Sequence, residues 1–107
     1  MKYSYSEYIP ILKALSDETR LKIIDMLSCQ ELCANAILEE FKITQPTLSY
    51  HMKMLIEAEL VIGNRQGAFM HYSLNQNKSG ELIDFLKHIS SEKEECICNN
   101  IRNKERK

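Results

Sequence analysis

The strongest constraint on the fold is a stretch that predicts one amphipathic helix, residues 44–55. Thr44 is a good N-cap, and Pro46 falls in the first turn, where a helix does not use the backbone N–H. Apolar side chains follow one stripe: Leu48, Met52, Leu55 and Ile56. Polar side chains suited to contacting base edges and phosphates lie opposite this stripe or at its margins: Gln45, Thr47, Ser49, Tyr50, His51 and Lys53. Alone, the stretch fits a solvated surface helix as well as a helix in the major groove of DNA.

The residues just before this stretch predict a second short helix joined closely to it. Apolar side chains recur at helical spacing over residues 31–41: Ala34, Ile37, Leu38 and Phe41. Lys42 and Ile43 then lead directly to Thr44. Two short helices with such a connection, the second with a polar outer face, form a helix-turn-helix.

The residues that follow predict a β-hairpin. Residues 60–65 and 69–74 read as strands, and Gly67 lies in the turn between them, where it can adopt a positive φ. A helix-turn-helix followed by a two-stranded hairpin is a winged helix. Arg65 and Gln66 at the hairpin tip are then placed to contact the phosphate backbone or the minor groove. The alternative is a stabilising β-ribbon with a merely solvated Arg65.

Two helices are expected ahead of the helix-turn-helix. The first covers residues 7–15 with Ser6 as its cap, and the second covers residues 17–28 with Asp17 at its start. Pro10 is awkward in the first of these helices unless it falls in the first turn.

A last helix begins near Ser79 or Gly80 and is apolar over much of its surface. Its apolar residues are Leu82, Ile83, Phe85, Leu86 and Ile89. That surface indicates a homodimer interface, with the first helix as its partner. The predicted fold is mainly α with a small β-hairpin, a winged helix-turn-helix in the order α-α-α-α-β-β-α. Residues 1–91 form the DNA-binding and dimerisation domain, and residues 92–107 form a flexible charged tail.

Composition narrows the class of protein. The chain has 107 residues, 44% hydrophobic and 27% charged, which suits one soluble globular domain. It has no apolar run of about 18 residues and no secretory h-region at its start, so we expect a cytoplasmic protein without a membrane span. A net charge of −1 means that tight DNA binding needs dimerisation or specific polar contacts. No catalytic triad, phosphate loop or paired-carboxylate arrangement appears, so we do not expect an enzyme.

Several motifs in the right order resemble the ArsR (arsenic-repressor) family of bacterial winged-helix metal sensors. They are Ala14-Leu15-Ser16-Asp17-Glu18-Thr19-Arg20-Leu21, Glu31-Leu32-Cys33, Gln45-Pro46-Thr47-Leu48-Ser49-Tyr50-His51-Met52-Lys53, and Gly67 through Tyr72-Ser73-Leu74. The resemblance covers roughly residues 7–90. It implies a homodimer that represses an operon for metal or metalloid resistance. Such a homodimer binds its operator DNA less tightly when an inducer binds to the protein.

The cysteines depart from the pattern of arsenic repressors, which usually carry Cys-x-Cys at the start of the third helix. Here Cys33 matches the first position, Asn35 replaces the second, and Leu38 stands at a later one. Cys96 and Cys98 lie in the tail instead. Arsenite and antimonite favour three thiolates, whereas thiolate-rich sites with four ligands also suit Zn(II) and Cd(II).

We therefore expect a three-coordinate metalloid site formed by Cys33, Cys96 and Cys98, with Cys29 as the reserve ligand and no permanent cofactor. Closing this site would shift the helix-turn-helix relative to the dimer axis, so that the two groove helices no longer match their half-sites.

Other roles for the cysteines stay open. Cys29 and Cys33 could be small core residues, and Cys96 and Cys98 unpaired thiols. The thiols could also form a redox switch, or the protein could bind DNA without an inducer. Asp84 and His88 have the spacing of a zinc pair on the last helix, but a surface pair is the simpler interpretation because the other ligands are missing.

Overall fold

The computed structural model describes residues 3–92. Eight elements follow one another along the chain: α1 (Tyr5–Leu15), α2 (Glu18–Leu27), β1 (Leu32–Cys33), α3 (Ala34–Leu38), α4 (Gln45–Glu57), β2 (Val61–Gln66), β3 (Phe69–Leu74) and α5 (Gln76–Ser90). The predicted fold class, a mainly helical winged helix-turn-helix, is confirmed. Of the predicted tail, residues 92–107, only Glu92 lies within the described residues.

Side-chain caps fix where three of the helices begin. The Asp17 carboxylate accepts a hydrogen bond from the backbone N–H of Arg20 at the start of α2. The Thr44 hydroxyl accepts from the N–H of Thr47 at the start of α4, and the Asn75 side chain caps α5. Each cap satisfies a donor that the first turn of a helix leaves without a partner.

The strands form one antiparallel sheet in the order β1-β3-β2. β2 and β3 pair from Val61 opposite Leu74 to Gln66 opposite Phe69, and Gly67 turns between them with φ of 63°. This hairpin, β2 and β3 with their turn, is called the wing below. On the other edge of β3, Leu32 pairs with Tyr72 and Cys33 with His71.

The core lies where the helices meet the sheet. Its most completely buried large side chains come from three helices: Ile23, Ile37, Met52 and Leu55. Tyr72 of β3 and Phe85 of α5 belong to the same buried cluster. The helix-turn-helix, the wing and the terminal helices therefore share one core. α4 packs into it through Leu48, Met52 and Leu55 of the predicted stripe, whereas Ile56, the fourth member of that stripe, is exposed.

Strand β1 was not predicted, and it changes the start of the third helix. Leu32 and Cys33 are extended because they pair with β3, so α3 begins at Ala34 and ends at Leu38 instead of covering residues 31–41. Pairing with a distant strand overrides the local helical pattern here.

The terminal helices begin earlier than predicted. α1 starts at Tyr5 after Ser4, and Pro10 lies inside it rather than in its first turn. Pro10 cannot donate to the carbonyl of Ser6, but both residues are exposed, so water can hydrate that carbonyl. α5 starts at Gln76 because Asn75, rather than Ser79, is its cap.

Candidate nucleic-acid interface and thiol site

Helix α4 presents most of the predicted DNA-contacting side chains to solvent. Leu48, Met52 and Leu55 are buried beneath it. On the other side, five of the predicted residues are exposed: Gln45, Thr47, Ser49, Tyr50 and Lys53. Tyr50 is the aromatic residue among these five and is 57% exposed. This face combines hydroxyls, an amide, a phenol and an ammonium group, all able to donate to base edges or phosphates.

A groove runs between α4 and the wing. It encloses about 410 Å³ and is lined by side chains of α3, α4 and both wing strands, among them Asn35, Gln45, Ser49, Arg65 and Phe69. Three of these residues, Gln45, Ser49 and Arg65, were predicted from the sequence. Asn35 and Phe69 were not, although Phe69 is a 55% exposed aromatic side chain in a strand. The groove is continuous with the exposed face of α4.

The wing is tied to the start of β1 through Glu31. The Gln66 amide donates a hydrogen bond of 2.8 Å to the Glu31 carboxylate. The same carboxylate oxygen lies 3.5 Å from Nδ1 of His71. Gln66 and Arg65, both predicted DNA contacts, are exposed on β2, and Gln66 is in addition hydrogen-bonded within the protein.

His51, also a predicted DNA contact, is held against α2. Its side chain is only 13% exposed, and its Nδ1 lies 3.0 Å from Nη1 of Arg20. Arg20 reaches further, because its Nε donates a 2.6 Å hydrogen bond to the carbonyl of Ala14 near the end of α1. His51 differs in this respect from Tyr50 and Lys53, which are exposed.

Of the predicted thiol ligands, Cys33 and the reserve ligand Cys29 lie within the described residues. Cys33 is half-buried in β1 and is the N-cap residue of α3. Cys29 is exposed in the connection after α2, and both thiols are free. Cys96 and Cys98 lie outside the described residues. Among residues 3–92, no group of three histidine, cysteine or acidic side chains could hold a metal ion.

His88 contacts an aromatic ring at the junction of α1 and α5. Its ring centroid lies 5.0 Å from that of Tyr3, and Tyr8 stacks on Phe85 at 4.0 Å in the same cluster. The expectation that Asp84 and His88 are a surface pair rather than a zinc site stays a prediction.

The outer sides of α1 and α5 carry large apolar side chains that nothing in the described chain covers. They are Tyr5, Ile9, Ile83, Leu86 and Ile89, each at least 41% exposed. Tyr5 and Ile9 are one turn apart on α1, and Ile83, Leu86 and Ile89 follow at intervals of three on α5, so each helix presents an exposed apolar stripe. No helix within residues 3–92 is long and apolar enough to cross a membrane.

Comparisons with known proteins agree with this geometry. Residues 17–62, which contain the whole helix-turn-helix, match the family described as "Bacterial regulatory protein, arsR family". The arsenical resistance operon repressor of Staphylococcus aureus is 46% identical over 99 residues, which are 92% of this chain and 95% of that protein. The repressor of the same name from Staphylococcus xylosus is 43% identical, over 95% of this chain and 98% of that one.

Solved structures show the same fold. A crystal structure of an ArsR family transcriptional regulator superposes with a TM-score of 0.75 at 18% identity, covering 82% of this chain and 91% of that one. HlyU from Vibrio cholerae gives a TM-score of 0.69 at 26% identity, covering 84% and 98%. With an exposed helix-turn-helix face, a wing, and close relatives over nearly its whole length, the chain belongs to the ArsR family and is a DNA-binding transcriptional repressor rather than an enzyme.

Proposed function

We propose that this protein represses a metalloid-resistance operon and leaves its operator when its thiolates bind arsenite or antimonite. The observation that carries the proposal is the position of Cys33 in a protein so similar to arsenical resistance operon repressors. Cys33 lies at the point where β1 ends and α3, the first helix of the helix-turn-helix, begins. A ligand bound there acts on the scaffold of the DNA-binding face.

Direct DNA contacts in this proposal come from the exposed residues of α4 and from the wing. Gln45, Thr47, Ser49 and Tyr50 contact base edges or nearby phosphates, and Lys53 contacts a phosphate. Arg65, on the wing, contacts the sugar-phosphate backbone of the DNA. Gln66 and His51 contribute through the protein instead, because each has a hydrogen-bond partner in another element.

The inducer site in this proposal consists of Cys33, Cys96 and Cys98. Arsenite and antimonite are soft, and three thiolates satisfy them. Among the described residues no group of three histidine, cysteine or acidic side chains includes Cys33, and in this proposal Cys96 and Cys98 of the tail supply the other two sulfurs. Cys29 is the reserve ligand. Zn(II) or Cd(II), which prefer four ligands, are weaker candidates for a site with three thiolates.

The sheet offers a route from this site to the wing. Cys33 pairs with His71. Glu31, two residues before Cys33, accepts a hydrogen bond from Gln66 and also contacts His71. Drawing Cys33 toward the tail would therefore disturb β1, α3 and the wing together, and release of the operator follows from that common movement.

The repressor acts as a homodimer in this proposal, paired through the apolar sides of α1 and α5. Burial of those side chains supplies association free energy, and a two-fold axis places two α4 helices against successive half-sites. Dimerisation also doubles the number of phosphate contacts, which a chain with a net charge of −1 requires for tight binding.

The test is titration of the reduced protein, bound to its own promoter, with arsenite, antimonite, cadmium and zinc in turn. Release by arsenite and antimonite is expected, with loss of that response in Cys33→Ser, Cys96→Ser and Cys98→Ser. Cys29→Ser is the matched control and should respond normally.

Four other outcomes would overturn parts of the proposal. A response lost only in Cys29→Ser contradicts the chosen trio of ligands. Release by zinc alone contradicts a metalloid inducer. Operator binding that ignores all four ions identifies an inducer-free regulator, and release by an oxidant that a reductant reverses identifies a thiol redox switch.

A further inference from the structure

Arg20 joins three helices at the back of α4. Its Nε donates to the carbonyl of Ala14 on α1 at 2.6 Å, and its Nη1 lies 3.0 Å from Nδ1 of His51 on α4. Its backbone N–H donates to the Asp17 cap at 3.1 Å, which fixes the start of α2. One half-buried guanidinium thus connects the end of α1 and the start of α2 to the middle of α4.

The contact between Arg20 and His51 is a hydrogen bond only when the imidazole is neutral. A guanidinium group has only donors, so a hydrogen bond between Arg20 and His51 requires Nδ1 to be the acceptor. His51 is then neutral, with its proton on Nε2. The other charged group facing the ring is the Asp17 carboxylate, whose Oδ2 lies 3.9 Å from Nδ1.

Protonation of His51 reverses this arrangement. Nδ1 becomes a donor, its hydrogen bond with Arg20 is lost, and two cations face each other at the same position. Asp17 offsets part of that repulsion and attracts the imidazolium toward the start of α2. Tyr50, whose ring centroid is 5.8 Å from that of His51, lies beside the ring on the exposed face of α4.

We infer that neutral His51 is a positioning residue, which orients the DNA-contacting face of α4 by accepting a hydrogen bond from Arg20. It sets the rotation of α4 and the placement of Tyr50 without contacting DNA itself. This inference rests on α4 being the helix that contacts DNA, and it is independent of the inducer.

The test compares two amide substitutions that place their acceptors differently. In His51→Asn, Oδ1 occupies the place of Nδ1 and can still accept from Arg20. In His51→Gln, the amide extends to the place of Nε2 and misses it. We expect operator affinity within about twofold of wild type for His51→Asn and about tenfold weaker for His51→Gln, the size of one lost charge-assisted hydrogen bond. The dependence of affinity on salt stays the same in both, because no phosphate contact is removed.

The pH profile separates positioning from direct contact. If His51 positions α4, wild-type operator affinity falls when acid protonates the imidazole and removes the acceptor, and the fall is smaller in His51→Asn. If His51 instead contacts a phosphate, wild-type affinity rises on acidification and the salt dependence weakens in both variants, which overturns the inference.

A double-mutant cycle with Arg20→Lys tests whether Arg20 is the group through which His51 acts. Lysine cannot bond the Ala14 carbonyl and His51 through the same planar group, so His51→Gln should cost little more once Arg20 has been replaced. Additive losses contradict the inference. If His51→Gln does not fold, as judged by circular dichroism, the wild-type and His51→Asn pH profiles decide the question. Tyr50→Ala and Lys53→Ala test separately whether α4 contacts DNA at all.

Discussion

Cys33 lies directly opposite His71 in the pairing of β1 with β3. Residues opposite each other in an antiparallel pair project to the same face of the sheet, so the half-buried thiol and the imidazole share one face. His71 also lies 3.5 Å from the Glu31 carboxylate that holds Gln66. The proposed sensing residue, Cys33, is therefore paired with the histidine that contacts Glu31, and Glu31 is the residue that holds the wing.

Replacing Glu31 tests whether those contacts support DNA binding. Glu31→Ala removes the acceptor of the Gln66 amide and the anion beside His71. We expect operator affinity to fall about three- to tenfold, the range of one or two surface hydrogen bonds. Fluorescence anisotropy with labelled operator DNA measures the change.

The control is Glu39→Ala, which removes the same charge from an exposed position at the end of α3. Loss of an acidic group alone should slightly strengthen binding to DNA. If both variants bind equally well, the link between Glu31 and the wing has no role in operator binding.

Substitutions on the exposed face of α4 should divide into two kinds. Tyr50→Ala and Thr47→Ala remove contacts near base edges. They should weaken operator binding and reduce the ratio of the affinity for operator DNA to the affinity for unrelated DNA. Lys53→Ala removes a phosphate contact, so it weakens binding to all sequences alike and lowers the slope of log affinity against log salt by about one. Gel-shift titrations at several salt concentrations distinguish them. Unchanged affinity in all three variants would show that α4 is not the DNA-contacting helix.

A charged residue on the apolar side of α5 should separate the dimer. Ile83 is 51% exposed in the single chain, so Ile83→Glu leaves the core intact while placing a carboxylate in the proposed interface. We expect a monomer by sedimentation velocity, with unchanged circular dichroism and at least tenfold weaker operator binding, since an unpaired buried charge is strongly unfavourable. Leu21→Glu, at an equally exposed site on α2, should remain dimeric. A dimeric Ile83→Glu variant would place the interface elsewhere.

Alkaline pH should destabilise the fold partly through Tyr72. Burial raises the pKa of the Tyr72 phenol, and the nearby Arg65 opposes that rise only in part. In the unfolded chain a tyrosine ionises near pH 10. The free energy of unfolding is therefore unaffected by this group below about pH 10 and falls as the pH rises further, because ionisation then favours the unfolded state.

Urea denaturation of wild type and Tyr72→Phe at about pH 9 and pH 10.5 measures this effect, on either side of the usual tyrosine pKa. The loss of stability between the two conditions should be smaller in Tyr72→Phe. Tyr5→Phe, at a 62% exposed position, is the matched control and should lose as much stability as wild type. Equal losses in all three proteins would contradict a role for Tyr72.

Local sequence signals predicted the parts of the fold that depend on neighbouring residues. Thr44 caps α4, and Leu48, Met52 and Leu55 are buried at the spacing that the stripe indicated. The wing likewise forms around Gly67. These features follow from capping, helical periodicity and turn geometry, all of which operate within a few residues.

Features that depend on distant partners escaped the sequence. A two-residue strand has no periodicity of its own, and Leu32 extends only because Tyr72 pairs with it from 40 positions further along. His51 resembled the polar residues Tyr50 and Lys53 in the sequence, yet Arg20, 31 residues earlier, contacts it from another helix. Side chains placed at a helix margin by periodicity can face either direction, and tertiary contacts decide which.

The length of β1 affects how much free energy the proposed inducer needs to release the operator. Only two residue pairs hold β1 to β3, compared with six between β2 and β3. Local opening of so short a ladder lies at the low end of a protein's range of opening free energies. In the proposed mechanism, an inducer that detaches β1 therefore uses little of its binding free energy on the conformational change, and low inducer concentrations are then enough to release the operator. Backbone amides of Leu32 and Cys33 should exchange with solvent deuterium well before those of the wing.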